Sequence, residues 1–152
     1  MKRIIFTAAI LAVLFTSCEG PMGPAGPGTS WQVINLAVGA DDWTYSNVAN
    51  NNYYYAVFDN IPELSSFVYD EGLVQCYIEF NAGTSTASQQ LLPYVRHHEV
   101  YVESESQWAT YTQTIDYEYG QGGLTLYVTN SDFVYDAIST PGAMNFRLVL
   151  MW

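Results

Sequence analysis

Apolar and polar positions alternate with a period of two through most of this chain. Residues 31–38 (WQVINLAV) put Ile34, Leu36 and Val38 on one side and Asn35 on the other, the pattern of a half-buried strand. Residues 39–52 are polar and rich in turn formers, ending in Asn50-Asn51-Asn52, and read as a loop that carries Trp43 and Tyr45. Residues 53–59 (YYYAVFD) form a second strand, aromatic on both faces, and Ile61-Pro62 ends it because proline has no N–H to donate. Residues 65–71 (SSFVYDE) predict a short helix capped by Ser65 and closed by Gly72 in the left-handed conformation. Phe67 and Val68 are expected to plug one end of the core.

Residues 73–80 (LVQCYIEF) alternate again, with Val74, Cys76, Ile78 and Phe80 on one apolar face, as suits a central strand. A Gly/Ser/Thr loop over 81–89 leads to a strand over 91–102 (LLPYVRHHEVYV), which Pro93 pushes toward an edge or a bulge. Residues 108–119 (WATYTQTIDYEY) alternate most clearly. Thr112, Thr114, Asp116 and Glu118 face one way; Tyr111, Gln113, Ile115, Tyr117 and Tyr119 face the other. Gly120 to Gly123 form a hairpin link to a strand over 124–129, and residues 130–142 read as a loop. The last strand, 144–152, turns Phe146, Leu148 and Leu150 to one side and is expected to be paired within a sheet. About seven short strands and one short helix predict an all-β domain over residues 31–152. The expected architecture is an antiparallel β-sandwich of the immunoglobulin-like, Greek-key type.

The first 30 residues follow other rules. Lys2 and Arg3 precede an apolar run of 12 residues, 4–15, too short to span a membrane and suited to a secretory signal. The small residues Thr16 and Ser17 then precede Cys18. Residues 14–18 (LFTSC) resemble a bacterial lipobox, in which the cysteine thiol receives a diacylglycerol and the signal is cut just before it. The usual leucine three places before the cysteine is Phe15 here, with Leu14 one place further back. Residues 1–17 are therefore expected to be a lipoprotein signal peptide and Cys18 the lipidated residue. Acyl chains contribute about 0.8 kcal/mol per buried methylene, so two or three of them hold firmly.

Three Gly-x-y triplets follow, at residues 20–28. Three are too few for a stable collagen helix, so residues 18–30 read as a lipidated cysteine with a stiff polyproline II spacer. At about 3.1 Å per residue, nine residues reach on the order of 28 Å.

Charge sharpens this picture. All 15 acidic residues lie beyond the signal, against Arg96 and Arg147 alone, a formal −13 with both histidines neutral. Such a chain has no basic footprint for phosphate backbones, which excludes nucleic acid as a partner, and it does not attach electrostatically to anionic lipid. With Cys18 acylated, Cys76 has no disulfide partner, and its place on an apolar face makes it a core residue rather than a nucleophile.

Catalytic signals are missing. There is no GxSxG elbow, P-loop or GxGxxG. His97-His98-Glu99 puts only His97 and Glu99 on one strand face, short of a zinc set. Asp116 and Glu118 share a face expected to be solvated. Asp41, Asp42 and Asn50 to Asn52, or Asp132 and Asp136, offer oxygen ligands without the spacing of a calcium loop, so no metal or cofactor is assigned. The aromatics remain. Trp43, Tyr45 and Trp108 are the candidates for a ligand-facing patch.

The chain resembles a group of small Bacteroidota lipoproteins with a Cys-Glu-Gly-Pro-type collagen-like stub and one β-domain. The similar parts are residues 18–28, 31–38, 64–80, 92–94 and 146–149. The resemblance implies a fold and a place in the envelope, with no activity or cofactor. The expectation is thus an extracytoplasmic lipoprotein, anchored to the outer membrane. Its non-catalytic module would bind a glycan, a peptide or another envelope protein. The alternative is a structural, self-associating coat protein, with a hydrolase third. The membrane face and the oligomeric state stay open.

Overall fold

The computed structural model of the protein describes residues 28–48, 51–103, 106–131 and 140–152. Alternation places the strands. In chain order they are β1 (Trp31–Val38), β2 (Thr44–Val48) and β3 (Asn51–Phe58), then helix α1 (Ser66–Glu71). There follow β4 (Leu73–Phe80), β5 (Ser88–Leu91), β6 (Tyr94–Val102), β7 (Gln107–Gly120), β8 (Gly123–Asn130) and β9 (Met144–Met151). They build two antiparallel sheets, a four-stranded one in the order β1-β9-β4-β5 and a five-stranded one in the order β2-β3-β8-β7-β6.

The sheets stack in a sandwich-like arrangement, and each inner face is the apolar row that alternation exposes. The four-stranded sheet contributes Leu36, Val74, Cys76, Ile78, Phe146 and Leu148, and the five-stranded sheet Ala56, Ile115, Leu124, Leu126 and Val128, all buried. Burying a large apolar side chain contributes about 1.5–3 kcal/mol, so β9, with Phe146, Leu148 and Leu150 fully enclosed, is the centre of its sheet energetically as well as topologically.

The described residues hold nine strands rather than about seven. The two additions are both edge strands, β2 inside the expected 39–52 loop and β5 overlapping the expected 81–89 loop. Thr44–Val48 reads TYSNV and Ser88–Leu91 reads SQQL, and most of their side chains are exposed. An edge strand that buries neither face carries no apolar alternation. Pro93 marks a crossing between sheets. Leu92 donates its N–H to the Cys76 carbonyl at 2.9 Å, the Leu92-Pro93 peptide is cis, and the chain then enters β6 of the other sheet.

Helix α1 starts as expected. Ser65 Oγ accepts from the Val68 N–H at 3.2 Å. Its end differs from expectation, because Gly72 is extended, with φ −92°. Close approach is the reason for glycine there: a Cβ would stand 2.5 Å from the Val68 carbonyl oxygen. Val68 is buried, but Phe67 is 57% exposed and plugs nothing. The β7–β8 hairpin turns through Gln121-Gly122, with Gly122 at φ +79°, a conformation that glycine adopts without strain. No helix among the described residues is long and apolar enough to cross a membrane.

Candidate functional site

The inner-face row of β7 outruns the core. Ile115 is fully buried, Tyr117 is half-buried and Tyr119 is exposed. Tyr117 Oη donates to the Val74 carbonyl at 3.1 Å, which pins its ring beside the start of β4. Tyr119 stacks at 20° to Tyr117, with ring centroids 6.3 Å apart, and meets Tyr69 of α1 edge-on at 5.9 Å. These rings, with Leu92, Pro93, Asp70 and Glu118, line an open cleft of about 710 Å³.

A second groove of about 400 Å³ lies on the other side of the same strand end, lined by Val57, Asp59, Tyr119, Gly122 and Thr125. Glu118 borders both. Tyr127 donates its phenolic proton to Glu118 Oε1, which fixes that carboxylate on the outer face. Burial, then the Glu118 carboxylate that accepts this bond, push the Tyr127 phenol up to about 12, and burial also raises Tyr117.

Three elements remote in sequence set this geometry: α1, the β5–β6 crossing and the end of β7. Backbone bonds tie them down, as Ile61 N–H donates to the Gly122 carbonyl and Gly122 N–H to that of Leu64, both at 2.8 Å. The cleft lies at the end of the sandwich where the chain enters. Ser30 and Trp152 exchange backbone hydrogen bonds of 2.7 and 2.9 Å there, and Gly72 sits against the Met151 carbonyl.

Trp43, Tyr45 and Trp108 do not gather into one patch. Trp43 is a core residue, 8% exposed, whose Nε1–H donates to the Gly142 carbonyl at 3.0 Å. Its burial removes it from any ligand-facing role. Tyr45 is exposed on edge strand β2, its ring 5.3 Å from that of Tyr54. Trp108 is 69% exposed at the far end of the β6–β7 pair, edge-on to Tyr101 at 5.5 Å. The cleft tyrosines were missed because two separate stretches, α1 and β7, supply them and a third supplies Leu92 and Pro93. The legible signal was Tyr117 and Tyr119 continuing an inward row past Ile115.

The other candidates have local roles. His97 faces out, its Nδ1 3.0 Å from Thr112 Oγ1, and His98 stacks on Tyr111 from the opposite face at 4.8 Å. Burial, then the Arg96 guanidinium, lower the His98 pKa. Arg96 donates through Nε and Nη2 to Gln113 Oε1 at 3.1 and 2.7 Å, and Gln113 Nε2 donates to Asn130 Oδ1 at 3.1 Å. This chain satisfies two buried amides. Asp42 accepts from the Gly39 N–H at 2.8 Å. Among the described residues no three His, Cys, Asp or Glu side chains group to hold a metal ion. Burial raises the Cys76 thiol to about 12, so it is protonated at neutral pH and is not a nucleophile. Cys18, Asn50, Asp132 and Asp136 lie outside the described residues.

Comparison with family models, with curated proteins and with solved structures gives no match.

Proposed function

We propose that this protein is an envelope lipoprotein, tethered through Cys18 after removal of residues 1–17, whose β-sandwich binds a neutral glycan without transforming it. The stalk at 18–30 carries a sandwich that reads as a Greek-key type extended by edge strands β2 and β5. The observation that supports binding is the cleft, where Tyr69, Tyr117 and Tyr119 present three rings bordered by Asp70 and, at the rim toward the outer face, by Glu118. Sugar rings have an apolar C–H face that packs on an aromatic ring and hydroxyl edges that donate to acceptor-only carboxylates. An acidic rim on an acidic protein repels phosphorylated or uronic-acid ligands, which leaves neutral or basic sugars. The cleft is open and both carboxylates are exposed, which favours binding over chemistry in a dry site.

Binding to immobilised neutral glycans, followed by calorimetry, tests this reading. Tyr119→Ala and Tyr69→Ala are each expected to weaken binding roughly tenfold, the scale of losing one well-placed aromatic anchor. Trp108→Ala is expected to leave it unchanged. Binding to no neutral glycan, or binding indifferent to both tyrosine substitutions, overturns the proposal. Intact mass tests the tether: Cys18→Ala is expected to lose the acyl mass and membrane association together.

A further inference from the structure

We infer that the outer face of the β1-β9-β4-β5 sheet is a membrane-contact surface on which the domain rests; this builds on the proposed acylation of Cys18. Register defines that face row by row. The first row is Trp31, Met151 and Leu73, and the second is Val33, Val149 and Gln75. The third is Asn35, Arg147, Tyr77 and Leu91, and the fourth is Ala37, Asn145, Glu79 and Gln89. Trp31 is 68% exposed and Leu73 49%. Apolar character is thus greatest in the first row and fades away from it.

Two further observations select the bilayer as occupant. The first is charge. In a chain with 15 acidic residues, this face carries one carboxylate, Glu79, in the row farthest from the tether, against the guanidinium of Arg147. It is electrically neutral, whereas the opposite outer face carries Glu99, Asp116 and Glu118. A strongly anionic domain approaches lipid headgroups through its neutral side, and tryptophan is the residue that settles at that depth.

The second observation is where the tether enters. Ser30 pairs with Trp152, so the chain from Cys18 arrives at the most apolar row. Residues 19–30 allow at most on the order of 37 Å of polyproline II reach, which keeps the face close to the membrane and raises its effective concentration there. A face too weak to bind lipid alone is then held down by the anchor. So oriented, the cleft at the same end opens close to the bilayer, within reach of membrane-borne glycans.

The test uses the full-length acylated protein in vesicles of phosphatidylcholine or of its dibrominated analogue, whose acyl-chain bromines quench nearby indoles. Quenching is expected in the wild type, to fall by at least half in Trp31→Phe and to be unchanged in Trp108→Phe. Leu73→Glu is expected to abolish it while the protein still floats with the vesicles. An acylated, floating protein whose quenching is absent or insensitive to Trp31→Phe overturns the membrane face alone. So does an oligomer in detergent that Leu73→Glu dissociates, which assigns the face to a second copy. A protein without acyl mass overturns instead the tether on which the inference rests.

Discussion

The two sheets share a core but present different outer faces. On the five-stranded sheet, β7 and β8 turn outward Trp108, Thr110, Thr112, Thr114, Asp116, Glu118, Thr125, Tyr127 and Thr129, which apart from Trp108 at the far end are hydroxyls and carboxylates that suit a β-sheet in water. On the four-stranded sheet the corresponding rows begin with Trp31, Leu73, Met151, Val33 and Val149. Folding does not require that second set, because the inner faces already enclose the core. An outer face that is apolar at one end and neutral in net charge, on an otherwise acidic domain, is what the proposed membrane contact would require.

Three measurements break or sharpen this comparison. If both inner faces carry the core, Phe146→Ala in one sheet and Leu126→Ala in the other should each destabilise heavily. Urea unfolding is expected to show losses of about 4 and about 3 kcal/mol, since both side chains are fully buried. A loss under 1 kcal/mol in either would mean that one sheet is not part of a common core.

Alkaline titration separates the sheets by burial. The folded pKa of Cys76, about 12 against 9.0, is raised, so the folded state holds its proton more tightly than the unfolded chain. Its contribution is complete below pH 9 and is lost as pH rises toward 12, on the order of 4 kcal/mol for a shift of that size. Cys76→Ala is expected to flatten that slope. Tyr127, raised in the same direction but half-exposed, is expected to change it little when replaced by Phe. An unchanged slope in Cys76→Ala contradicts the assignment.

The smallest expected effect is on the outer face. Leu73→Thr and Thr129→Val should each alter folding stability by no more than about 0.5 kcal/mol. A large loss from Leu73→Thr would make Leu73 a structural residue and remove it from the contact surface.

Sequence reading reached the strands that bury a face. β1, β4, β7, β8 and β9 alternate because one side of each packs on the core, and their bounds were found to within a residue or two. It failed where burial leaves no local pattern. β2 and β5 lie exposed at edges, and Trp43 is drawn into the core from a polar stretch by a bond to Gly142, 99 residues away. The cleft was hidden for a related reason, since Tyr69, Pro93 and Tyr119 meet only after α1 and the sheet crossing have folded. The neutral outer face was hidden too. Trp31, Leu73 and Met151 form a row only through the registers of β1 and β4 on β9.

Hydroxyl-radical footprinting of the acylated full-length protein tests the division of faces most directly. Labelling in vesicles is compared with labelling in detergent-free solution of Cys18→Ala. Trp31, Leu73 and Met151 are expected to lose most of their labelling in vesicles, while Trp108, Tyr101 and Tyr53 keep theirs. Equal labelling of Trp31 and Met151 in both states, or protection spread evenly over both sheets, would contradict it.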